Sequence, residues 1–375
     1  MDATEQMHVS TRICNIGLEV MSTSLKRFSE RYDSFFKTTK TSRGITYRYL
    51  SVPGTNSVTL LWLHGFPSSG VYDWRYQLDH FSARGYALIA PEMLGYGGTD
   101  KPEDPRMYKP SVLAGDIVEI VDKEAPGGPV VAIAHDHGVD VLCRLADMYT
   151  DRFAAFAFIS VGYFSPLRTN TLDEALSYQE KVLGWPAFAY WKFFTKFGAA
   201  EIIGKNIDSF IDLLYAKDAF DVWRSIMGGR GKTAEWIESG QRCERVSFIS
   251  DEEFSALREH LAGPGRGLIG PLNWYHISFG AVALEDHNDV LEKLGDKLPL
   301  TLSKPVFFAG GAKDAACHLT MMRPTFDGFA QDLTVEEFDT SHWLFLEQPE
   351  QFNDALEKWL VTRVSRKLDL DRNTQ

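Results

Sequence analysis

Val130-Val131-Ala132-Ile133-Ala134-His135-Asp136-His137-Gly138 reads as a buried strand that stops in a tight turn. Residues 139–148 follow at once with apolar positions at helical spacing. Ala134 and Gly138 stand two before and two after one polar residue, Asp136. Strand, small–x–polar–x–small turn and helix together mark a nucleophile elbow, whose flanks pack too closely for large side chains. The more familiar version carries Ser at its centre. A carboxylate there attacks carbon instead and forms an ester that water must then cleave. Asp136 therefore points to alkyl-transfer chemistry.

Working outward, residues 35–40 and 45–52 read as a hairpin around a polar turn containing Gly44. Continuous apolar runs follow at 58–63, which leads into His64-Gly65-Phe66-Pro67, at 86–90 before Pro91, and at 153–161. Such strands alternating with helices predict an α/β fold with a doubly wound, mostly parallel sheet covered on both faces. Reactive residues then collect in loops past the carboxyl ends of the strands. After Pro166 the pattern turns helical and aromatic up to about Gly295, with Trp185, Phe188, Tyr190, Trp191, Phe193, Phe194, Trp274 and Tyr275. Strand-like runs return at 304–309 and 333–338, and 349–364 has the spacing of a closing amphipathic helix. The division expected is an extension (1–30), a core (31–163 and 300–364), a helical cap inserted within it (164–299) and a tail (365–375).

A carboxylate nucleophile needs a base to activate water, and the base needs an orienting acid. Gly310-Gly311-Ala312-Lys313-Asp314 follows one late strand, and Asp339-Thr340-Ser341-His342-Trp343 follows the other. Asp136, Asp314 and His342 thus lie after three different strands in the order nucleophile, acid, histidine known for such elbows. Asp339 competes for the acid role, but its spacing to His342 suits an ordinary turn. Cys143, on the helix after the elbow, reads as a core residue.

Composition narrows the remaining classes. The 375 residues are 44% hydrophobic and 24% charged, with a formal net charge of −12. That balance disfavours a polyanionic partner such as nucleic acid. The four cysteines, Cys14, Cys143, Cys243 and Cys317, form no C-x-x-C pair and fit reduced thiols in the cytoplasm. No apolar run approaches the roughly 18 residues that a membrane span requires, and residues 1–30 lack the apolar core of a signal peptide. Met21 is an alternative start. His135-Asp136-His137 is an H-x-H pair of a kind that ligates zinc, but the longer array of zinc hydrolases would need Asp where Val139 stands. No metal and no cofactor are expected.

The chain resembles the soluble epoxide hydrolases of the α/β-hydrolase superfamily from about residue 35 to 362. The likeness rests on His64-Gly65-Phe66-Pro67, Asp73-Trp74-Arg75-Tyr76-Gln77, the block from Leu94-Gly95-Tyr96-Gly97-Gly98 to Pro102, and Ser341-His342-Trp343 with Glu347-Gln348-Pro349. It implies that Tyr190 and Tyr275, in Ala189-Tyr190-Trp191 and Asn273-Trp274-Tyr275, donate hydrogen bonds to the epoxide oxygen, with Tyr178 the fallback for the first. It also implies an oxyanion hole built from the backbone N–H groups of Phe66 and His137. The expected reactant is a small apolar epoxide, and the expected state a monomer or homodimer. The elbow departs from the family's Gly-His-Asp-Trp-Gly: Ala134 replaces the first glycine and His137 the tryptophan. Two alternatives share the fold: a haloalkane dehalogenase, whose halide donors are missing at Phe66 and His137, and a non-catalytic ligand receptor.

Overall fold

The computed structural model describes residues 23–368 apart from 168–169, 263–266, 296–297 and 299. Cys14, Met21, most of the expected extension and the end of the tail lie outside the described residues. Eight strands form one sheet in the order β1-β2-β4-β3-β5-β6-β7-β8. Their ranges are β1 Phe36–Lys40, β2 Thr46–Val52, β3 Thr59–Leu63, β4 Ala87–Pro91, β5 Val130–His135, β6 Ala155–Ile159, β7 Val306–Gly311 and β8 Leu333–Phe338. β2 runs antiparallel to both β1 and β4. Every other pairing is parallel.

The inner strands β3, β5, β6 and β7 are buried at every position. Helices cover both faces of a parallel sheet, so such strands read as unbroken apolar runs rather than alternating ones. The outer strand β8 mixes exposed and half-buried positions, as an edge strand does. Sequence-based boundaries at β6 are generous, since pairing stops at Ile159. There Ser160 takes a positive φ of 64°. The closing helix Pro349–Trp359 passes directly into a π-helical segment, Leu360–Ser365.

Between β6 and β7 the chain leaves the sheet and forms a series of helices, from Leu172–Leu183 to Ala281–Leu294. Polar contacts stitch this insertion to the core. The Trp274 indole donates to the Leu94 carbonyl at 3.0 Å, and the Trp185 indole to the Ala315 carbonyl at 2.9 Å. Buried Arg144, on the helix Gly138–Met148, pairs with Asp147 at 2.5 Å and with Asp286 of the insertion at 3.4 Å. Asp286 also accepts the backbone N–H of Ser111.

Candidate active site

The carboxyl ends of β3, β5, β7 and β8 converge. β5 stops at His135, and Asp136 follows with a positive φ of 50°. That conformation is strained for a residue with a side chain. It lifts the carboxylate out of the sheet's end. Two glycines make room for it. A Cβ on Gly65 would meet the Asp136 Cβ at 2.5 Å, and one on Gly138 would meet the Leu63 carbonyl oxygen at 2.5 Å. The elbow thus packs against the loop after β3, as the small-residue pattern requires.

Each carboxylate oxygen of Asp136 has its own neighbour. Oδ1 accepts the backbone N–H of Phe66 at 2.7 Å. Oδ2 faces His342 Nε2 at 3.4 Å. His342 Nδ1 in turn meets Asp314 Oδ2 at 2.7 Å, and Asp314 Oδ1 accepts the N–H groups of Ala316 and Cys317. Asp314 is fully buried and His342 nearly so. Asp339 stands apart, exposed and paired with Lys313 at 2.7 Å.

Burial favours the neutral form of Asp136, but His137, His342 and His135 outweigh it and hold the carboxyl well below its usual range. Burial likewise opposes the charged form of His342. Asp314 and Asp136 overcome it and push the imidazole well above its ordinary value. The two directions together favour a carboxylate beside an imidazolium. His135 behaves otherwise: burial and His342 lower it to about 3, and its Nε2 lies 3.1 Å from the His342 carbonyl oxygen. A neutral ring that donates there orients the loop.

The insertion supplies the opposite wall. Tyr190 and Tyr275 are buried, with ring centroids 5.9 Å apart. Phe66 packs on Tyr275 at 4.9 Å. Burial raises both hydroxyls well above the ordinary value, and Asp136 adds to the effect in each. Both are donors at any moderate pH. Tyr190 lines a chamber of about 30 Å³ together with Asp136, His137, Asp140 and Cys317. Tyr178 is exposed and lines an outer cavity instead.

Sequence reading did not find Cys317 or Asp140 as parts of this chamber. Cys317 contacts His342, but burial raises its thiol to about 12. Asp140 holds His137 Nδ1 at 2.8 Å. Its position three residues on, at a helix start, is a signal that could have revealed the pairing. His135 and His137 thus turn to different partners. Among the described residues, ligand-type atoms gather at Asp314, Cys317 and His342, where the His342–Asp314 bond joins two of the three, and at His80, Asp354 and Glu357. No described helix is long and apolar enough to cross a membrane.

A sheet of this order, a strained acidic elbow and an acid–histidine pair on later strand ends define one architecture. The chain belongs to the alpha/beta hydrolase fold family, whose profile matches residues 58–349. Among its relatives, epoxide hydrolase srdG of Neurospora crassa is 27% identical over 344 residues, covering 84% of this chain and 95% of the relative. Epoxide hydrolase A of Mycobacterium tuberculosis is 24% identical over 340 residues, covering 85% and 95%. Bifunctional epoxide hydrolase 2 of Mus musculus is 24% identical over 305 residues; the match takes in 80% of this chain and 51% of that longer protein. Among solved structures, epoxide hydrolase A from Mycobacterium thermoresistibile superposes with a TM-score of 0.69 at 22% identity, covering 87% of this chain and 98% of that one. An epoxide hydrolase from Vigna radiata gives 0.63 at 23% identity, covering 87% and 97%. These superpositions establish a shared fold.

Proposed function

We propose that the chain is an epoxide hydrolase that converts an apolar epoxide to a vicinal diol through an ester on Asp136. The observation that carries this reading is one acidic nucleophile between a His–Asp pair on the core and Tyr190 of the insertion, with buried Tyr275 packed edge-on against Tyr190 and His137. The relatives named above as epoxide hydrolases support the same reaction class.

The contacts of Asp136 support distinct roles for its two oxygens. Oδ1 already sits on the Phe66 N–H, so it becomes the ester carbonyl and Oδ2 the nucleophile. Oδ2 attacks an epoxide carbon, the C–O bond breaks, and the departing oxygen takes a proton from Tyr190 or Tyr275. An alkoxide is far too basic to leave without such donors. Forming the ester removes the negative charge that helps hold the proton on His342. The imidazolium proton then passes to the tyrosinate left by ring opening, which restores the tyrosine and leaves His342 neutral, able to act as a base. Neutral His342, oriented by Asp314, takes a proton from water, and the hydroxide adds to the ester carbonyl carbon. The oxyanion on Oδ1 is held by Phe66 N–H and, in this reading, by His137 N–H. On collapse the departing oxygen takes back the proton that His342 drew from water, the diol leaves, and the Asp136 carboxyl so formed gives its proton to the imidazole, restoring both groups.

The insertion, residues 164–299, acts as a cap that closes an apolar pocket over the core. The described cysteines Cys143, Cys243 and Cys317 are free thiols, which suits the cytoplasm. The deciding experiment is the intact mass of His342→Gln after exposure to a panel of epoxides and haloalkanes. A trapped mass equal to a whole epoxide, mapped to Asp136, is expected. An adduct formed with loss of halide alone would make the protein a dehalogenase. No adduct, with no diol from the parent enzyme, would make it a ligand receptor.

A further inference from the structure

Position 137 is one of two places where this elbow departs from the family it resembles, and the histidine there is tightly built in. Its Nδ1 lies 2.8 Å from Asp140 Oδ2, three residues on in the helix Gly138–Met148. The ring is clamped edge-to-face on Tyr275 at 4.6 Å and tilted against Trp191 at 5.6 Å. The described residues give Nε2 no hydrogen-bond partner. His137 and Asp140 both line the chamber around Asp136. The nucleophile is therefore flanked by two His–Asp pairs, of which the proposed reaction uses the side chains of only one.

The space around the chamber is lopsided. Phe164, Phe188 and Phe279 line both the chamber and an outer cavity of about 580 Å³, whose far walls include Met321 and Phe329. Asp140, Ser278 and Phe164 also lead from the chamber to a cavity of about 20 Å³ lined by Arg144, Ser165, Asp286 and His287. That is room for about one water. The chamber thus opens both on a roomy, largely apolar space and on a small polar one.

We propose that His137, held by Asp140, is a specificity-determining residue that receives a hydroxyl group on the carbon beside the oxirane. The preferred substrate is then an epoxy alcohol with a long apolar arm in the outer cavity. The inference rests on Asp136 opening epoxides as argued above. An anionic substituent is disfavoured, because Asp136, Asp140 and Asp314 already crowd negative charge around the chamber. An alkyl substituent would desolvate Nε2 without replacing its hydrogen bond. With Nδ1 bound to Asp140, Nε2 accepts when the ring is neutral and donates when it is protonated. A hydroxyl both donates and accepts, so it satisfies either state. A carbonyl or ether satisfies only one.

The test compares kcat/KM for a trans-2,3-epoxyalkan-1-ol and for the epoxide in which methyl replaces the hydroxyl. The parent enzyme should favour the alcohol by about tenfold or more, the value of one net hydrogen bond. His137→Trp should lose or invert that preference, and Asp140→Ala, which frees the ring to turn, should reduce it. An equal ratio in the parent enzyme, or a preference that survives both substitutions, overturns the inference while leaving the Asp136 reaction standing. No diol from either compound, with no adduct on His342→Gln, removes the reaction and this inference together.

Discussion

Asp136 and His342 hold each other's charge, and that coupling is testable directly. Asp136 keeps its proton off because His137, His342 and His135 surround it, while His342 keeps its proton on because Asp314 and Asp136 do. In Asp136→Asn the His342 ring, followed by NMR, should titrate at lower pH than in the parent protein; an unmoved titration would break the charge-release account of base formation. Linkage gives a second sign. The raised imidazole of His342 stabilises the fold below its unfolded pKa, and this is lost as pH rises through its folded value. The depressed carboxyl of Asp136 stabilises above its unfolded pKa, and this is lost as pH falls through its folded value. Tyr275→Phe should slow ester formation about 10²–10³-fold and leave ester hydrolysis nearly unchanged in single-turnover mixing; equal slowing of both steps would exclude the hydroxyl as leaving-group donor. At this scale Asp136, Asp314 and His342 were legible because each follows a strand end with its own local signature. Cys317 was not, since nothing in its neighbours hints that the loop after Asp314 bends back to His342.

The elements were legible in proportion to how much of their character is local. β5 and β7 are unbroken apolar runs because both faces are covered, and they lie within a residue or two of where periodicity puts them. The insertion was visible only as a helical, aromatic region. Its separate short helices, such as Trp191–Phe194, are set by packing among Phe66, Tyr190, Trp191 and Tyr275 from distant parts of the chain. The elbow helix offers its own check. Because a Cβ at 138 would run into the Leu63 carbonyl oxygen, Gly138→Ala should destabilise the fold by about 1–3 kcal/mol. Urea unfolding measures this, and a loss below about 0.5 kcal/mol would mean that the elbow yields easily.

Across the whole molecule, the insertion and the core meet in a buried charge network below the chamber. Arg144 answers to Asp147 on its own helix and to Asp286 on the insertion, and Tyr163 donates to Asp147 at 2.6 Å. Removing one partner of a buried pair leaves an uncompensated charge, so Asp286→Ala should cost about 3 kcal/mol of stability. A denaturation midpoint close to that of the parent would show that Asp147 alone satisfies the guanidinium. Sequence reading expected an insertion but not this seam, because a lone Arg on one helix and a lone Asp far downstream share no spacing.

The proposed chemistry also divides along that seam. Asp136, His342, Asp314 and the Phe66 N–H all belong to the sheet's own loops, while both tyrosine hydroxyls come from the inserted helices. Ring opening therefore draws on both parts, whereas ester cleavage draws on the sheet's loops alone. A descendant that exchanged its inserted helices would keep the means to cut an ester it could no longer make, and new leaving-group donors on that roof would be enough to give the same floor a different first step.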